Sequence, residues 1–219
     1  MAEFNHKSVL LYECIDGLAI KETGIYVDGT IGGGGHSFEI ARRLTAGRLY
    51  GFDRDADAIA AARKRLAPFA EDERITLLHA NFSEMKERLG ECGVTKVSGI
   101  LLDLGVSSHQ IDEAERGFSY MKNAPLDMRM DRRRTLTAHD VINFYDETRL
   151  IKIFREYGEE KFSKRIAAAI CRQRKISPIT STSELVKIIE GAAFRTKNGG
   201  HPAKRIFQAV RIEVNGELE

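Results

Sequence analysis

Along the first hundred residues the apolar positions fall into short dense runs separated by stretches with helical spacing. Ile25 to Asp28, running into Tyr26–His36, YVDGTIGGGGH, reads as a buried strand that stops on a carboxylate and turns on Gly32, Gly33, Gly34 and Gly35. Behind the turn, Phe38, Ile40, Ala41 and Leu44 recur at helical spacing and predict a helix over 36–45. RLYGFD predicts a second strand ending at Asp53. Asp55 to Leu66 then reads as a helix with Asp55 at its N-cap, closed by Pro68. Arg74 to Leu78 predicts a third strand, with a short helix to Leu89 behind it. Val97 to Asp103, VSGILLD, reads as a fourth strand, apolar on both faces. Strands and helices alternating in this way predict a parallel sheet buried on both sides. Upstream, Ser8 to Leu18 predicts an amphipathic helix over a sheet edge, with Val9, Leu10, Tyr12 and Ile15 near one side.

After Gly105 the pattern changes. GFSYMKNAPLDMRMDRRR reads as a loop with apolar anchors and an arginine cluster. From Thr137 onward the spacing is helical: AHDVINFY, ETRLIKIFREYG, EEKFSKRIAAAICRQRK, then ELVKIIEGAAF capped by Ser181 or Ser183. A turn, KNGGHP, precedes a last helix from Ala203 to Val214. The fold class is therefore α/β, with a Rossmann-like parallel sheet over 1–108, a helical insert over 109–211, and the start of a return to the sheet over 212–219.

Composition narrows this picture only modestly. Of 219 residues, 42% are apolar and 30% charged, ordinary for a packed chain, and no run approaches the ~20 apolar residues of a membrane span. The N-terminus lacks the pattern of a signal peptide. Cys14, Cys92 and Cys171 lie far apart, so neither a disulfide framework nor a zinc site is expected, and a reducing cytoplasm is. Charge changes the picture more. Residues 1–115 carry 13 basic and 19 acidic side chains, and residues 116–219 carry 21 and 13. The basic back half points to a polyanionic partner.

The candidate chemistry gathers at strand ends. Glycines let a backbone approach a ligand that a Cβ would push away. The loop lacks the interval to a third glycine that marks a dinucleotide fold. Asp53 ends strand two, where a carboxylate accepts hydrogen bonds from a ribose diol. Phe82, in Asn81-Phe82-Ser83, stands where an adenine would pack, although a core role is equally open. Asp103 closes strand four in the crevice where α/β ligands bind, and Gln110 follows in DLGVSSHQID. The ligand is either a nicotinamide dinucleotide or S-adenosyl-L-methionine. The second has no phosphates, and its ammonium suits a carboxylate such as Asp28.

DGTIGGGGHS, FDRD, NFS, LLDLGVSS, ERGFSYMKNAPLDMRMD, YGEEKFSKRIAAAI and HPAKRIFQAVRIEVNGELE together resemble the bacterial small-subunit rRNA cytosine-N4 methyltransferase family, RsmH/MraW, from about His6 to Glu219. The resemblance implies an S-adenosyl-L-methionine-dependent enzyme that methylates the exocyclic N4 amine of a cytidine in 16S rRNA of the small ribosomal subunit. It implies cofactor contacts at Gly34, Gly35, His36, Asp53, Phe82, Asp103 and Gln110, and an RNA-recognising helical insert. No metal, membrane or DNA partner is expected. His109 departs from the family's proline. The family also continues past Glu219 with further strands, so the chain is expected to be a fragment with an incomplete sheet, an open pocket and weak or absent activity. A non-catalytic nucleic-acid-binding module and an NAD-dependent oxidoreductase are the alternative functions.

Asp103 is the expected catalytic residue, a hydrogen-bond acceptor that turns the amine toward the methyl and eases proton loss. DLGV stands where many base N-methyltransferases carry [DN]PP[YF], so residues 117–130 are expected to hold the base. For RNA contact the most concentrated group is Arg132, Arg133 and Arg134. Arg129, Lys164, Arg165, Arg172, Arg174, Lys175, Lys204, Arg205 and Arg211 are further candidates, those of 164–175 on different helical faces and partly paired with Glu156, Glu159 or Glu160.

Overall fold

The computed structural model describes residues 8–193 and 200–218. His6, Phe194 and the first half of the expected KNGGHP turn, 197–199, lie outside them. The chain divides into two compact units, Met1–Ser107 and Ser108–Glu219.

In the first unit, α1 (Leu11–Leu18) leads into β1 (Ile25–Asp28), α2 (Gly35–Ala41), β2 (Arg48–Asp53) and α3 (Ala56–Arg65). A 3₁₀ segment (Ala67–Asp72) with Pro68 in its first turn precedes β3 (Ile75–His79). A second one (Phe82–Glu84) runs into α4 (Met85–Glu91), and β4 (Gly99–Leu101) completes the sheet. The four strands are parallel in the order β3-β2-β1-β4. Alternation along the pleat explains the layering. Tyr26 and Leu49 face a cluster with Ile15, Ile40, Leu44, Ala62 and Leu66 from the α1–α3 side. Val27, Tyr50 and Phe52 face the other way, onto Ala80 and Leu89. Asp55 caps α3 as its position predicts, its side chain accepting the Asp57 N–H.

Two expectations fail, for physical reasons. The expected α1 face of Val9, Leu10 and Tyr12 is exposed, and only Ile15 of that set is buried. Leu10 sits in a left-handed conformation before the helix, so the register starts at Leu11. Leu11, Ile15 and Leu18 form the packed row, at i, i+4 and i+7. The fourth strand is also shorter than the apolar run. Only Gly99–Leu101 pairs, with β1 on one side, and no described strand lies beyond it. Ile100, Leu102 and Leu104 remain 48%, 45% and 67% exposed, so this edge is not buried on both faces.

The second unit opens with α5 (Ser108–Asp112), a short helix the residue pattern did not disclose, and a 3₁₀ turn (Ala114–Arg116). The following loop is held by its apolar anchors: Phe118, Ala124, Leu126, Met128 and Met130 are buried. Buried Arg116 donates to the carbonyls of Arg129 and Met130 at 2.9 and 3.1 Å. Then come α6 (Ala138–Phe144), α7 (Glu147–Glu156), α8 (Ser163–Gln173), α9 (Thr182–Ala192) and α10 (Ala203–Asn215). Thr137 with Asp140 and Ser181 with Glu184 form capping boxes on α6 and α9, which selects Ser181 over Ser183. Asn215, at the end of α10, accepts the Met130 N–H and donates to the Met128 carbonyl, both at 2.7 Å, stapling loop to helix. Residues 212–218 belong to this unit as the end of α10 and its Gly216 cap.

Candidate cofactor site at the carboxyl ends of the strands

The loop between β1 and α2 is fixed by hydrogen bonds from three directions. Gly29 N–H donates to the Leu101 carbonyl at 2.9 Å, prolonging the β1–β4 ladder. Ile31 N–H donates to Phe52 at 2.9 Å, tying the loop to β2. Gly32 N–H donates to Asp53 Oδ2 at 3.0 Å. Gly34 has φ of +76° and lies against α3, where an added Cβ would stand 3.3 Å from Ala62 Cα; both facts favour glycine. Gly32 has φ of +50°, and an added Cβ would meet the Thr30 carbonyl oxygen at 3.9 Å, an ordinary contact.

Asp28 ends β1 as predicted, but it is buried and turned inward. Ser37 Oγ donates to Oδ2 at 2.7 Å and Thr30 N–H to Oδ1 at 3.2 Å. The carboxylate thus clamps the start of α2 onto β1. Burial lifts its pKa from 3.8 to about 6, against the opposing pull of the Ser37 and Thr30 hydrogen bonds. The folded chain therefore keeps this proton over a pH range in which the unfolded chain has lost it. The stability it provides is complete below about pH 4 and is lost as pH rises through about 6, a difference of about 3 kcal/mol. Asp28→Asn cannot ionise. Denaturant unfolding of the two proteins at about pH 4 and pH 8 is expected to show the gap moving by about that amount in favour of the variant at the higher pH. A gap independent of pH would contradict the assignment.

Asp53 ends β2. One oxygen accepts from Gly32 and the other from Asp55 N–H at 2.9 Å. Each oxygen retains acceptor capacity, since a carboxylate offers about four lone-pair sites. Burial raises its pKa, while the Asp55 and Gly32 donors hold it down. Phe82 follows β3 and is half-buried, with its Cβ 3.2 Å from the position an added Cβ on Gly29 would take. Its neighbour Asn81 caps the 3₁₀ turn. Asp103 follows β4 with an exposed side chain, and its backbone N–H donates to Thr30 Oγ1 at 2.6 Å. The strand order reverses between β1 and β4, so Gly29, Thr30 and Asp103 lie at the topological switch point.

His36 is buried, its Nε2 donating to the Val9 carbonyl at 3.1 Å, which fastens the segment before α1. Of the expected cofactor residues, Gly34, Gly35, His36, Asp53, Phe82 and Asp103 all stand in this unit at the carboxyl ends of the strands. Gln110 stands in the second unit, buried on α5. The residue pattern missed Thr30 and Ser37, whose hydroxyls join β4 and α2 to the loop. DGT at the end of a strand was the available signal, a small hydroxyl residue beside the first glycine.

The basic candidates divide sharply. Arg129 pairs with Asp127 at 2.8 Å and donates to the Arg132 and Arg134 carbonyls, while Arg133 pairs with Asp131 at 2.8 Å. Arg174 donates to Ile142, Arg205 to Glu159, and Arg211 pairs with Glu217. These arginines staple the unit internally. No helix among the described residues is long and apolar enough to cross a membrane.

A family profile described as the MraW methylase family matches residues 3–219. A protein of Lachnospira eligens named ribosomal RNA small subunit methyltransferase H is 55% identical over 220 residues, covering 99% of this chain and 69% of that protein. Proteins of the same name from Clostridioides difficile and Limosilactobacillus fermentum are 53% and 52% identical, and this chain spans 70% of each. With the profile reaching from residue 3 to residue 219 and relatives above half identity, the chain belongs to the MraW methylase family.

Proposed function

We propose that the chain is an S-adenosyl-L-methionine-dependent methyltransferase acting on the exocyclic N4 amine of a cytidine in small-subunit (16S) rRNA, in the cytoplasm. The observation that carries the reading is the pair of carboxylates beside one glycine turn, Asp53 at the end of β2 and Asp103 just past β4. The carboxylates of Asp53 and Asp103 oppose a pyrophosphate and favour a ligand bearing an ammonium and a sulfonium. The uncrowded Gly32, at positive φ, fits a backbone that a ligand approaches closely. The dinucleotide alternative lacks the interval to a third glycine.

The bound cofactor supplies a methyl group already activated on a sulfonium, so the protein's work is alignment, worth up to about 7–11 kcal/mol. Asp53 receives the ribose hydroxyls on its remaining lone pairs. Phe82 packs against the adenine, and residues 34–36 bring backbone to the amino-acid end. Asp103 would accept a hydrogen bond from the cytosine amine, turning its lone pair toward the transferable methyl, and would hold the proton the amine gives up. The second unit serves as the RNA-recognition domain. Thermal unfolding with S-adenosyl-L-methionine, S-adenosylhomocysteine or NAD tests the cofactor reading. The first two are expected to raise the midpoint and NAD to leave it unchanged; stabilisation by NAD alone would overturn it.

A further inference from the structure

Between Glu160 and Glu184 the chain carries six cations, Lys161, Lys164, Arg165, Arg172, Arg174 and Lys175, and not one carboxylate. The helix formed there sorts them. Ile166, Ala167, Ile170 and Cys171 form the buried side of α8. At about 100° per residue, Lys164, Arg165 and Arg172 fall within one arc on the opposite side. The Ser177 N–H still reaches the Gln173 carbonyl at 3.1 Å, so the turn beyond α8 continues its path and sets Lys175 in the same arc. All four are exposed, as is Lys161 before the helix. Only Arg174 points elsewhere, to Ile142. The expectation that these residues lie on different faces holds for Arg174 and is corrected for the other four.

Helix stability does not account for the row. Lys164 and Arg165 occupy the first turn, the end at which the helix dipole disfavours cations, and that turn holds no acidic residue. Nor does pairing account for Lys164, Arg172 and Lys175: among the described residues no salt bridge joins them to a carboxylate. The contrast with Arg129 and Arg133, each closed onto a neighbouring aspartate, is plain.

We infer that the exposed face of α8, Lys164, Arg165, Arg172 and Lys175, is a phosphate-binding ridge for the RNA substrate, in preference to the Arg132–Arg134 cluster. This inference rests on the rRNA reading above. Cations at the two ends of a rigid helix fix the position of a backbone without reading its bases.

The test is a salt titration of binding to a small-subunit rRNA transcript, using the unsubstituted chain, Lys164→Gln/Arg172→Gln/Lys175→Gln, and Arg132→Gln/Arg133→Gln/Arg134→Gln. The α8 variant is expected to lower the slope of log affinity against log salt by about 2, with affinity at least about tenfold weaker near 0.1 M salt. Its thermal midpoint and cofactor affinity are expected to match those of the unsubstituted chain, and the Arg132–134 variant is expected to lose less. An unchanged slope and affinity in the α8 variant, beside normal rRNA binding by the unsubstituted chain, would overturn the ridge alone. Absence of rRNA binding by the unsubstituted chain would overturn the rRNA reading and the ridge together. Loss of binding to anionic phospholipid vesicles, with rRNA binding retained, would assign the face to a membrane surface and overturn the ridge as well.

Discussion

Asp103→Ala is expected to slow methyl transfer by about a hundredfold or more, the range for removing a positioned proton acceptor, with a smaller effect on cofactor affinity. The structure makes this a clean substitution. The fold uses the Asp103 backbone N–H, which donates to Thr30, and leaves the carboxylate exposed. Alanine keeps that N–H, so the β4 end and the loop stay joined. Single-turnover rates at saturating RNA and cofactor separate the chemical step from binding. A variant with full turnover and unchanged cofactor affinity would remove Asp103 from the mechanism.

Asp53→Ala is expected to weaken cofactor binding by roughly ten- to a hundredfold, the equivalent of about 1–3 kcal/mol for lost hydrogen bonds to a charged group. Here structure and function are entangled, because the same carboxylate receives the Gly32 and Asp55 N–H groups. Alanine orphans both donors, so stability is expected to fall as well. Asp53→Asn separates the two effects, since its side-chain oxygen still accepts one of these N–H groups. Isothermal titration well below each midpoint is the measurement. Equal cofactor affinity in all three proteins would show that Asp53 serves the loop alone.

The central strands and their ends were legible in the sequence because each is a short apolar run stopped by a carboxylate or a cap: IYVD, RLYGFD and the Asp55 cap stand as read. What sequence could not supply was which apolar residues find a partner. VSGILLD is apolar throughout, yet Ile100, Leu102 and Leu104 are exposed beside the edge strand, since hydrophobicity states a demand for cover and not its supply. Val9 and Leu10 were misplaced for a local reason, the left-handed residue that delays α1. At the site, Asp28, Asp53 and Asp103 announced themselves as charges after apolar runs. Thr30 did not, because its partner Asp103 lies 73 residues away and a lone hydroxyl carries no periodicity. Arg116 was hidden likewise, a buried cation satisfied by carbonyls that only the folded loop brings together.

Methyl transfer from labelled S-adenosyl-L-methionine to small ribosomal subunits, followed by nucleoside analysis of the rRNA, tests the central claim most directly. The account predicts label in N4-methylcytidine of small-subunit rRNA, abolished or strongly reduced by Asp103→Ala. Label on another base, or the same N4-methylcytidine yield from Asp103→Ala, would contradict it.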